Sequence, residues 1–377
     1  MISLDRGLLG KGELGDVTSR HKEYGQYVQR LDIIVFSRKG YLENKISETV
    51  SAYPTNSNSK FNYLFNAYQI GRELFSHNAY DLVVTQAPFI SGLIGYWLAK
   101  KFRAKLLIHF HGDYVKNKQW LKERWYNFLM VPISNFLAKR ADGIRVMSSG
   151  IKEKLVANGV SENKIKVIST PISLVKFGRW DANKAAGLKN QYHNKKIILS
   201  VGRLEKEKDL PTLFSALVEV KKNYSDFILL ILGDGSLKAD WQLLVEQLGL
   251  ENEIVFLGQA QHEDLVNYYQ ACDFIINCST SESFGKVLVE AAACNKPAIA
   301  TSTTGAREII IDGQTGLLSP IGDSASLAVN ILKLLTNGEL TKDLGLKAKE
   351  ISSKRFDGGI NTQEIIKFWQ ELIDSKI

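Results

Sequence analysis

The sequence predicts an α/β protein with two Rossmann-like domains, and three observations lead to this fold class. The length of 377 residues favours two or three domains. In both halves of the chain, short apolar runs alternate with helical patterns, which is typical of parallel sheets with helices on both faces. A polar stretch at 177–195 separates the two series and precedes a strong new apolar run. The domain boundary is therefore predicted within that stretch.

The first series contains six short runs rich in β-branched and aliphatic residues, which favour strands. In chain order these predicted strands are Ile2–Leu4, Leu31–Phe36, Leu82–Thr85, Leu106–Phe110, Ile144–Met147 and Lys166–Ile168. The uncharged stretch from Leu82 to Ala99 is about as long as the shortest membrane span. Because Pro88 would end a strand soon after Thr85, we expect a buried strand, a proline turn and a buried helix there.

The second series repeats the same rhythm after the polar stretch. Its predicted strands are Ile197–Val201, Ile228–Leu232, Ile254–Leu257, Phe274–Asn277 and Ala298–Thr301, with helical patterns such as Leu213–Lys222, Ala239–Leu248 and Asp264–Ala271 between them. The predicted domains are 1–178 and 190–355. A last helical pattern, 361–377, lies beyond the second series and is expected to return to the first domain.

Charge is distributed unevenly along the chain. Residues 1–180 hold 27 Lys and Arg against 14 Asp and Glu, a balance of +13, and the remainder of the chain has a balance of −5. A basic half indicates an anionic partner such as a phosphorylated acceptor, a membrane surface or nucleic acid. The alternative is that the charge serves solubility alone.

One segment combines this basic charge with aromatic residues. From Lys116 to Arg140, basic residues alternate with apolar ones that include Trp120 and Trp125. Such a segment could lie on an anionic membrane surface and reach a lipid-linked acceptor. The alternative is an amphipathic helix packed on the first domain.

Composition indicates the cellular compartment. Cys272, Cys278 and Cys294 follow no metal-ligand spacing, so we expect reduced thiols. Charged residues interrupt the start of the chain before the apolar run of a secretory signal could form, so no such signal is expected. The expected location is cytoplasmic, with the membrane segment allowing peripheral attachment to the inner face.

The clearest chemical motif follows the predicted strand Phe274–Asn277 and runs from Ser279 through Glu282 and Gly285 to Glu290. Ligands of open α/β sheets bind beyond the carboxyl ends of strands. A helix starting near Phe284 would direct free backbone N–H groups at a phosphate. Glu282 then suits a sugar beside the phosphates, and Glu290 suits the hydroxyls of a ribose. The alternative is a capped helix with an internal surface glutamate.

A second motif, from Ser200 to Asp209, runs from a strand end into a loop. Arg203 and Lys208 place positive charge at this strand end, where a diphosphate leaving group would need it. Arginine can bind two oxygens at once, whereas lysine acts as a point charge. Lys206 is the rival for the second role, but we expect it to face water beside Glu205 and Glu207.

These motifs resemble those of glycosyltransferase family 4, whose members have the GT-B fold of two Rossmann-like domains with parallel sheets facing a central cleft. The resemblance covers roughly Ile197 to Leu318 and includes the stretches VGRLEKEKD, ILGDGSL, VFLGQA, STSESFGKVLVEAAACNKPAIA and GAREIIIDGQTGLL. One departure is Asn295, where the family often has glycine. Asparagine tolerates a left-handed backbone better than most residues, so the departure concerns a turn and not the chemistry.

The resemblance implies a set of donor-binding residues. Arg203 and Lys208 would hold the donor diphosphate, Glu290 the ribose, and Glu282 the transferred sugar. The loops around the donor would include Gly202, Gly233, Gly235, Ser283, Phe284 and Gly285.

The first half matches the family more loosely. His111 directly follows the predicted strand Leu106–Phe110, and the family often carries a histidine there near the donor sugar. A structural histidine is the alternative. Gly10 to Gly15 spells G-x-G-x-x-G, with Asp32 at the distance of a ribose-binding acid, but the loop from Leu4 is long for a dinucleotide turn. We prefer a glycine loop facing the donor, with Gly15 at the start of the next helix.

The predicted reaction is transfer of a sugar from a nucleotide-diphosphate-sugar donor to a glycan or lipid-linked acceptor, with retained anomeric configuration. The expected setting is cell-surface polysaccharide or glycolipid synthesis. No Asp-x-Asp pair occurs in the sequence, so neither a metal nor another cofactor is expected. Nucleic acid is not an expected partner. The alternatives are a non-catalytic nucleotide-sugar-binding protein and a GT-B sugar-nucleotide epimerase.

Overall fold

The computed structural model describes residues 1–10, 17–193, 195–260 and 264–375. The chain divides into two compact units. Unit 1 comprises Met1–Ser169 and Ile360–Ile377, and unit 2 comprises Thr170–Gly359. Each unit has its own, almost entirely parallel sheet, so the α/β prediction with two Rossmann-like domains is confirmed.

Unit 1 is built on an eight-stranded sheet with the order β3-β4-β2-β1-β5-β6-β7-β8. Its strands are β1 Ile2–Ser3, β2 Leu31–Val35, β3 Asn44–Lys45, β4 Val50–Pro54, β5 Leu82–Thr85, β6 Lys105–Phe110, β7 Gly143–Val146 and β8 Ile165–Val167. The helices that precede the crossover to unit 2 are α1 Val17–Tyr24, α2 Tyr63–His77, α3 Ile90–Phe102, α4 Lys118–Glu123, α5 Asn127–Arg140 and α6 Ser149–Val156. The sequence pattern missed β3 and β4, because β3 is a polar dipeptide and β4 ends in a proline.

Unit 2 has six parallel strands in the order β11-β10-β9-β12-β13-β14. They are β9 Lys196–Val201, β10 Phe227–Leu232, β11 Ile254–Gly258, β12 Phe274–Asn277, β13 Ala298–Thr301 and β14 Gly316–Ser319. Its helices are α7 Leu174–Phe177, α8 Ala182–Gln191, α9 Leu210–Asn223, α10 Lys238–Gln247, α11 Leu265–Ala271, α12 Lys286–Ala293, α13 Thr304–Ile309, α14 Ser324–Thr336 and α15 Gly338–Arg355. The strand order reverses between β9 and β12, which is the switch point where Rossmann-type sheets bind ligands.

The polar stretch 177–195 holds a helix of unit 2. Helix α8 packs on α11, where Lys184 Nζ lies 2.9 Å from Asp264 Oδ1 and the backbone N–H of Asp181 donates to Asn267 Oδ1 at 2.9 Å. The chain crosses between units earlier, at Ser169 and Thr170. The polar composition of this stretch reflects an exposed helix in which Ala185 is the buried residue.

The last helix, α16 Gly358–Asp374, packs into the core of unit 1. Its Trp369 ring meets Tyr24 of α1 edge-on, with ring centroids 5.6 Å apart. A Cβ at Gly143 of β7 would lie 2.7 Å from a methyl carbon of Leu372. Glycine at the start of β7 therefore lets this helix approach the sheet closely.

The stretch from Leu82 to Ala99 forms β5, a turn and most of α3, as expected. Within the part of the chain that the structure describes, no helix combines the length and the apolarity that crossing a bilayer requires. The three cysteines are buried free thiols. Burial raises the pKa of each to about 12, so these thiols are protonated at neutral pH.

Candidate active site

The candidate site of unit 2 lies at the switch point of its sheet. Strands β9 and β12 are parallel neighbours, so the loops that leave their carboxyl ends emerge side by side. A small open pocket lies there, lined by Gly202, Arg203 and Lys208 after β9 and by Asn277 and Cys278 at the end of β12. The sheet therefore brings together two motifs that are some 70 residues apart in the sequence.

Lys208 and Glu282 form the central contact of this site. Lys208 Nζ lies 3.0 Å from Glu282 Oε2 and 3.3 Å from Ser279 Oγ. About a fifth of each charged side chain remains exposed, 19% for Lys208 and 20% for Glu282. Ser279 in turn donates to Asn277 Oδ1 at 2.5 Å. A cation and a carboxylate are thus held side by side at the mouth of the switch point.

Arg203 takes a different position from Lys208. Its side chain is 77% exposed, and Nη2 lies 2.7 Å from Glu207 Oε1. The backbone carbonyl of Glu207 accepts from the N–H of Thr280 at 2.8 Å, which joins the two loops. The guanidinium is therefore close to the loops but accessible, and a surface ion pair of this kind is readily exchanged for another anion.

Helix α13 holds the loop that carries Glu282. The backbone carbonyl of Glu282 accepts from the N–H of Gly305 at 2.8 Å and from Thr304 Oγ1 at 3.2 Å. A Cβ at Gly305 would lie 2.4 Å from the backbone nitrogen of Phe284, so a side chain there would displace the loop. The segment from Ser283 to Gly285 is therefore fixed from behind by the first residues of α13.

Helix α12 begins two residues later than the sequence suggested. Its first residue is Lys286, and Gly285 precedes it with a φ of 90°, a left-handed conformation that glycine adopts without strain. The turn directs the chain into the helix directly after Phe284. The first-turn N–H groups of α12 therefore lie next to the loop of Glu282.

The glycine loops of β9 and β10 pack against one another. A Cβ at Gly233 would lie 1.8 Å from the carbonyl oxygen of Gly202, and one at Gly235 would lie 2.3 Å from the carbonyl oxygen of Leu204. No side chain fits at either position. These glycines therefore shape the loop that presents Arg203.

Glu290 lies inside α12 and is only 4% exposed. Its Oε2 accepts a hydrogen bond from the hydroxyl of Tyr269 at 2.8 Å. Burial and the nearby carboxylate raise the pKa of Tyr269 well above its ordinary value, so the phenol keeps its proton and donates. The structure thus places Glu290 against a tyrosine of α11.

In unit 1, His111 lies just past β6, at the carboxyl end of the sheet. Its Nε2 lies 2.5 Å from Oε1 of Gln86, which follows the neighbouring strand β5. His109, two residues earlier in β6, is 2% exposed, and neither ring nitrogen has a hydrogen-bond partner within the described residues. Gly15 lies outside the described residues.

Acid is expected to destabilise unit 1 through His111. Burial and the positive charges of Arg145, Arg20 and His21 lower the pKa of His111 to about 3, against about 6.5 in an unfolded chain. Between these values the unfolded chain binds more protons, so the free energy of unfolding falls as pH drops from about 6.5 toward 3. In urea titrations at pH 7.5 and 5.5, His111→Gln should lose less stability than the parent.

The matched control is His77→Gln, which changes an exposed histidine at the end of α2. Between the two pH values, this control should lose as much stability as the parent does. An equal loss of stability in all three proteins would show that His111 does not cause the acid sensitivity.

Sequence reasoning assigned no role to several residues of the two sites. Ser279, Glu207 and Tyr269 contact the predicted residues directly, and Gln86 contacts His111. A usable signal existed for Gln86, since it follows a predicted strand end as His111 does. No local signal pointed to Tyr269, because its contact with Glu290 depends on how α11 packs against α12.

Two family models match the chain in consecutive segments. Residues 26–176 match Glycosyltransferase Family 4, and residues 183–351 match Glycosyl transferases group 1. Together they span most of both units.

The chain belongs to glycosyltransferase family 4.

The similarity to curated relatives extends over most of the chain. An uncharacterized glycosyltransferase of Methanocaldococcus jannaschii is 28% identical over 366 residues, 96% of each chain. In Campylobacter jejuni, the N-acetylgalactosamine-N,N'-diacetylbacillosaminyl-diphospho-undecaprenol 4-alpha-N-acetylgalactosaminyltransferase is 29% identical over 273 residues, 72% of each chain. The full-length match shows that this glycosyltransferase has both units in common with its relatives.

A solved structure confirms the fold. HepE of Anabaena, crystallised with UDP-glucose, superposes with a TM-score of 0.79 at 21% identity and covers 98% of each chain. The glycosyltransferase thus has the GT-B type of fold, with two Rossmann-like domains. Across residues 1–10, 17–193, 195–260 and 264–375, no three His, Cys, Asp or Glu side chains are grouped so that they could hold a metal ion.

Proposed function

We propose that this glycosyltransferase moves a sugar from a nucleoside-diphosphate-sugar to a glycan or lipid-linked acceptor, without a metal and with retained anomeric configuration. The observation that carries the proposal is the contact of Lys208 with Glu282 at the switch point of unit 2, beside the exposed guanidinium of Arg203. Two cations beside a carboxylate suit a diphosphate linked to a polyhydroxyl sugar. The UDP-glucose complex of HepE supports this choice of donor class.

The diphosphate is proposed to bind between Arg203, Lys208 and the amino end of α12. As the glycosidic bond breaks, negative charge develops on the leaving diphosphate, and preorganised positive groups stabilise it. Arg203 is accessible and paired only at the surface, so it can turn to the phosphates at little cost. Lys208 is already oriented by Glu282 and Ser279.

The two glutamates are proposed to recognise different parts of the donor. Glu282 accepts hydrogen bonds from hydroxyls of the transferred sugar, and its contact with Lys208 orients it. Glu290 accepts from the ribose hydroxyls, with the Tyr269 hydroxyl holding one carboxylate oxygen. His111 of unit 1 is proposed to act on the donor sugar as a neutral imidazole, since its pKa is lowered to about 3.

Retention of configuration follows from the proposed proton path. The leaving diphosphate accepts the proton of the attacking acceptor hydroxyl, and both lie on the same face of the sugar. Proton NMR of the first product formed tests this step directly. An inverted anomer would refute the retaining mechanism and leave the transferase assignment intact.

The acceptor is proposed to be a glycan or a lipid-linked glycan of cell-surface polysaccharide or glycolipid synthesis, reached at the cytoplasmic face of a membrane. The name of the Campylobacter jejuni relative includes a diphospho-undecaprenol-linked sugar, which supports this acceptor class. A panel of UDP-, GDP- and ADP-sugars tests the donor through hydrolysis and thermal stabilisation. Stabilisation without turnover on any acceptor would favour a binding protein, and conversion of the sugar without transfer would favour an epimerase.

Activity should persist in excess EDTA. The leaving diphosphate is neutralised by Arg203 and Lys208 in this proposal, and the sequence has no Asp-x-Asp pair that could hold a catalytic metal. When the EDTA concentration is changed 5-fold, the initial rate of nucleoside diphosphate release should stay within about a factor of two, since no metal-dependent step is removed. Loss of activity that Mg²⁺ or Mn²⁺ restores would contradict this part of the proposal.

A further inference from the structure

Helix α5 of unit 1 exposes several large apolar side chains to water while it buries polar ones. The face packed against the unit buries Asn127 and Ser134 together with Leu137 and Ala138. The face turned to water exposes Phe128 by 58%, Leu129 by 46% and Phe136 by 42%. Burying polar residues while exposing large apolar ones costs free energy in water, so this surface is suited to another environment.

Neighbouring elements carry two further exposed tryptophans. Trp125, just before α5, is 77% exposed, and Trp97 on α3 is 39% exposed. Helices α3 and α5 lie against one another, with the Tyr96 and Phe136 rings in edge-to-face contact at 5.4 Å. We define the α3–α5 face as Trp97, Trp125, Phe128, Leu129 and Phe136.

Positive charge borders this face. Residues 90–140 contain ten Lys and Arg against two Asp and Glu. Lys139 and Arg140 end α5, and the Arg140 guanidinium lies 5.6 Å from the centroid of the Phe136 ring. An arginine whose stem covers an aromatic ring while its head reaches outward has the arrangement expected at a membrane interface.

We propose that the α3–α5 face docks unit 1 on the anionic leaflet of a lipid bilayer. Its aromatic and aliphatic side chains enter the boundary between headgroups and acyl chains, while the basic residues pair with lipid phosphates. The alternative of a second copy is disfavoured, because a two-fold contact would bring two faces of the same positive charge together. The inference rests on the proposed function only in that a lipid-linked acceptor gives the contact a purpose.

The structure also corrects one part of the sequence-based membrane prediction. Trp120 is 9% exposed and stacks on the Phe89 ring at 5.6 Å, so it belongs to the packing of unit 1. Trp125, which lies between α4 and α5, is 77% exposed. Of the two, Trp125 is the anchor that this proposal assigns.

Vesicle co-sedimentation of the full-length protein tests the docking face. We expect binding to vesicles of phosphatidylcholine with 30% phosphatidylglycerol, weakening as salt rises, and little binding to phosphatidylcholine alone. The double variant Phe128→Ser/Leu129→Ser should bind at least about ten-fold more weakly, since two apolar anchors are removed. The matched control Leu243→Ser, which changes a 57% exposed leucine on α10 of unit 2, should bind as the parent does.

A second pair of variants tests the charge. Lys139→Gln/Arg140→Gln should weaken binding by about five-fold per residue, the effect of one basic group near an anionic surface. Its control, Lys333→Gln/Lys342→Gln, makes the same change of net charge on exposed residues of unit 2. Trp125→Phe should show a smaller blue shift of tryptophan emission on anionic vesicles than the parent, because Trp97 of the same face remains.

The following results would overturn the proposal. They are equal binding to neutral and anionic vesicles, no binding to either, or a parent dimer in light scattering that Phe128→Ser/Leu129→Ser dissociates. Salt-sensitive binding of a DNA duplex in place of vesicles would also overturn it. Nucleotide-sugar hydrolysis, measured without lipid, should be equal in parent and surface variants. If neither the parent nor any variant hydrolysed a nucleotide-sugar, the result would count against the proposed transferase activity and not against the docking face.

Discussion

Arg203→Ala should lower the turnover of the glycosyltransferase by about 10²–10³-fold, the usual effect of removing one preorganised group that stabilises developing negative charge. The guanidinium stands at the carboxyl end of β9 with 77% of the side chain exposed, and its partner Glu207 makes a surface ion pair. Breaking that pair costs little stability, so the variant should fold normally. Single-turnover rates with a saturating nucleotide-sugar measure the effect on the chemical step.

Lys206→Ala is the matched control for Arg203→Ala. It removes an exposed cation from the same loop, where the structure gives Lys206 no contact with Glu282. Turnover of this control should remain within about two-fold of the parent, as for most surface substitutions. Near-normal turnover in a folded Arg203→Ala protein would remove Arg203 from the diphosphate site.

Lys208→Ala should have an effect at least as large, about 10²–10³-fold on turnover. The substitution removes a cation and also leaves the Glu282 carboxylate without the ammonium that lies 3.0 Å away. The remaining negative charge then opposes the charge that develops on the leaving diphosphate. Because the pair is only about a fifth exposed, Lys208→Ala should also lower the thermal midpoint, by slightly more than the loss of a surface ion pair would.

A double-mutant cycle separates the two roles of this lysine. If Glu282 also opposes the leaving group once Lys208 is gone, Lys208→Ala/Glu282→Gln should lose less activity than the two single variants combined. Lys221→Ala is the control, since Lys221 Nζ pairs with Glu253 at 2.8 Å on a different part of unit 2. An equal loss of activity in Lys208→Ala and Lys221→Ala would show that the effect comes from lowered stability and not from the site.

Much of the candidate site could be predicted because its residues follow strand ends. Arg203 and Lys208 come after β9, and Glu282 comes after β12, which are positions that a parallel sheet collects at one edge. The left-handed backbone at Asn295, with a φ of 57°, was also predictable from the residue type. Each of these features depends on the local sequence or on the general rule for α/β sheets.

Other features could not be read from the sequence. The polar stretch 177–195 suggested a boundary, yet it holds α8, whose partners on α11 lie some 80 residues later. The start of α12 at Lys286 depends on Gly285, whose loop is fixed from behind by Gly305. In both cases the deciding contact joins residues that are far apart in the chain.

The sequence by itself determined most strands of the two series, the carboxyl ends that carry Arg203, Lys208, Glu282 and His111, and the excess of positive charge in the first half. Only the tertiary structure decided that Lys208 contacts Glu282, that Glu290 is buried against Tyr269, and that Trp125 is exposed while Trp120 is packed inside. The physical reason is the range of the interactions. Strand and helix patterns arise from neighbouring residues, whereas burial and ion pairing depend on which distant elements pack together.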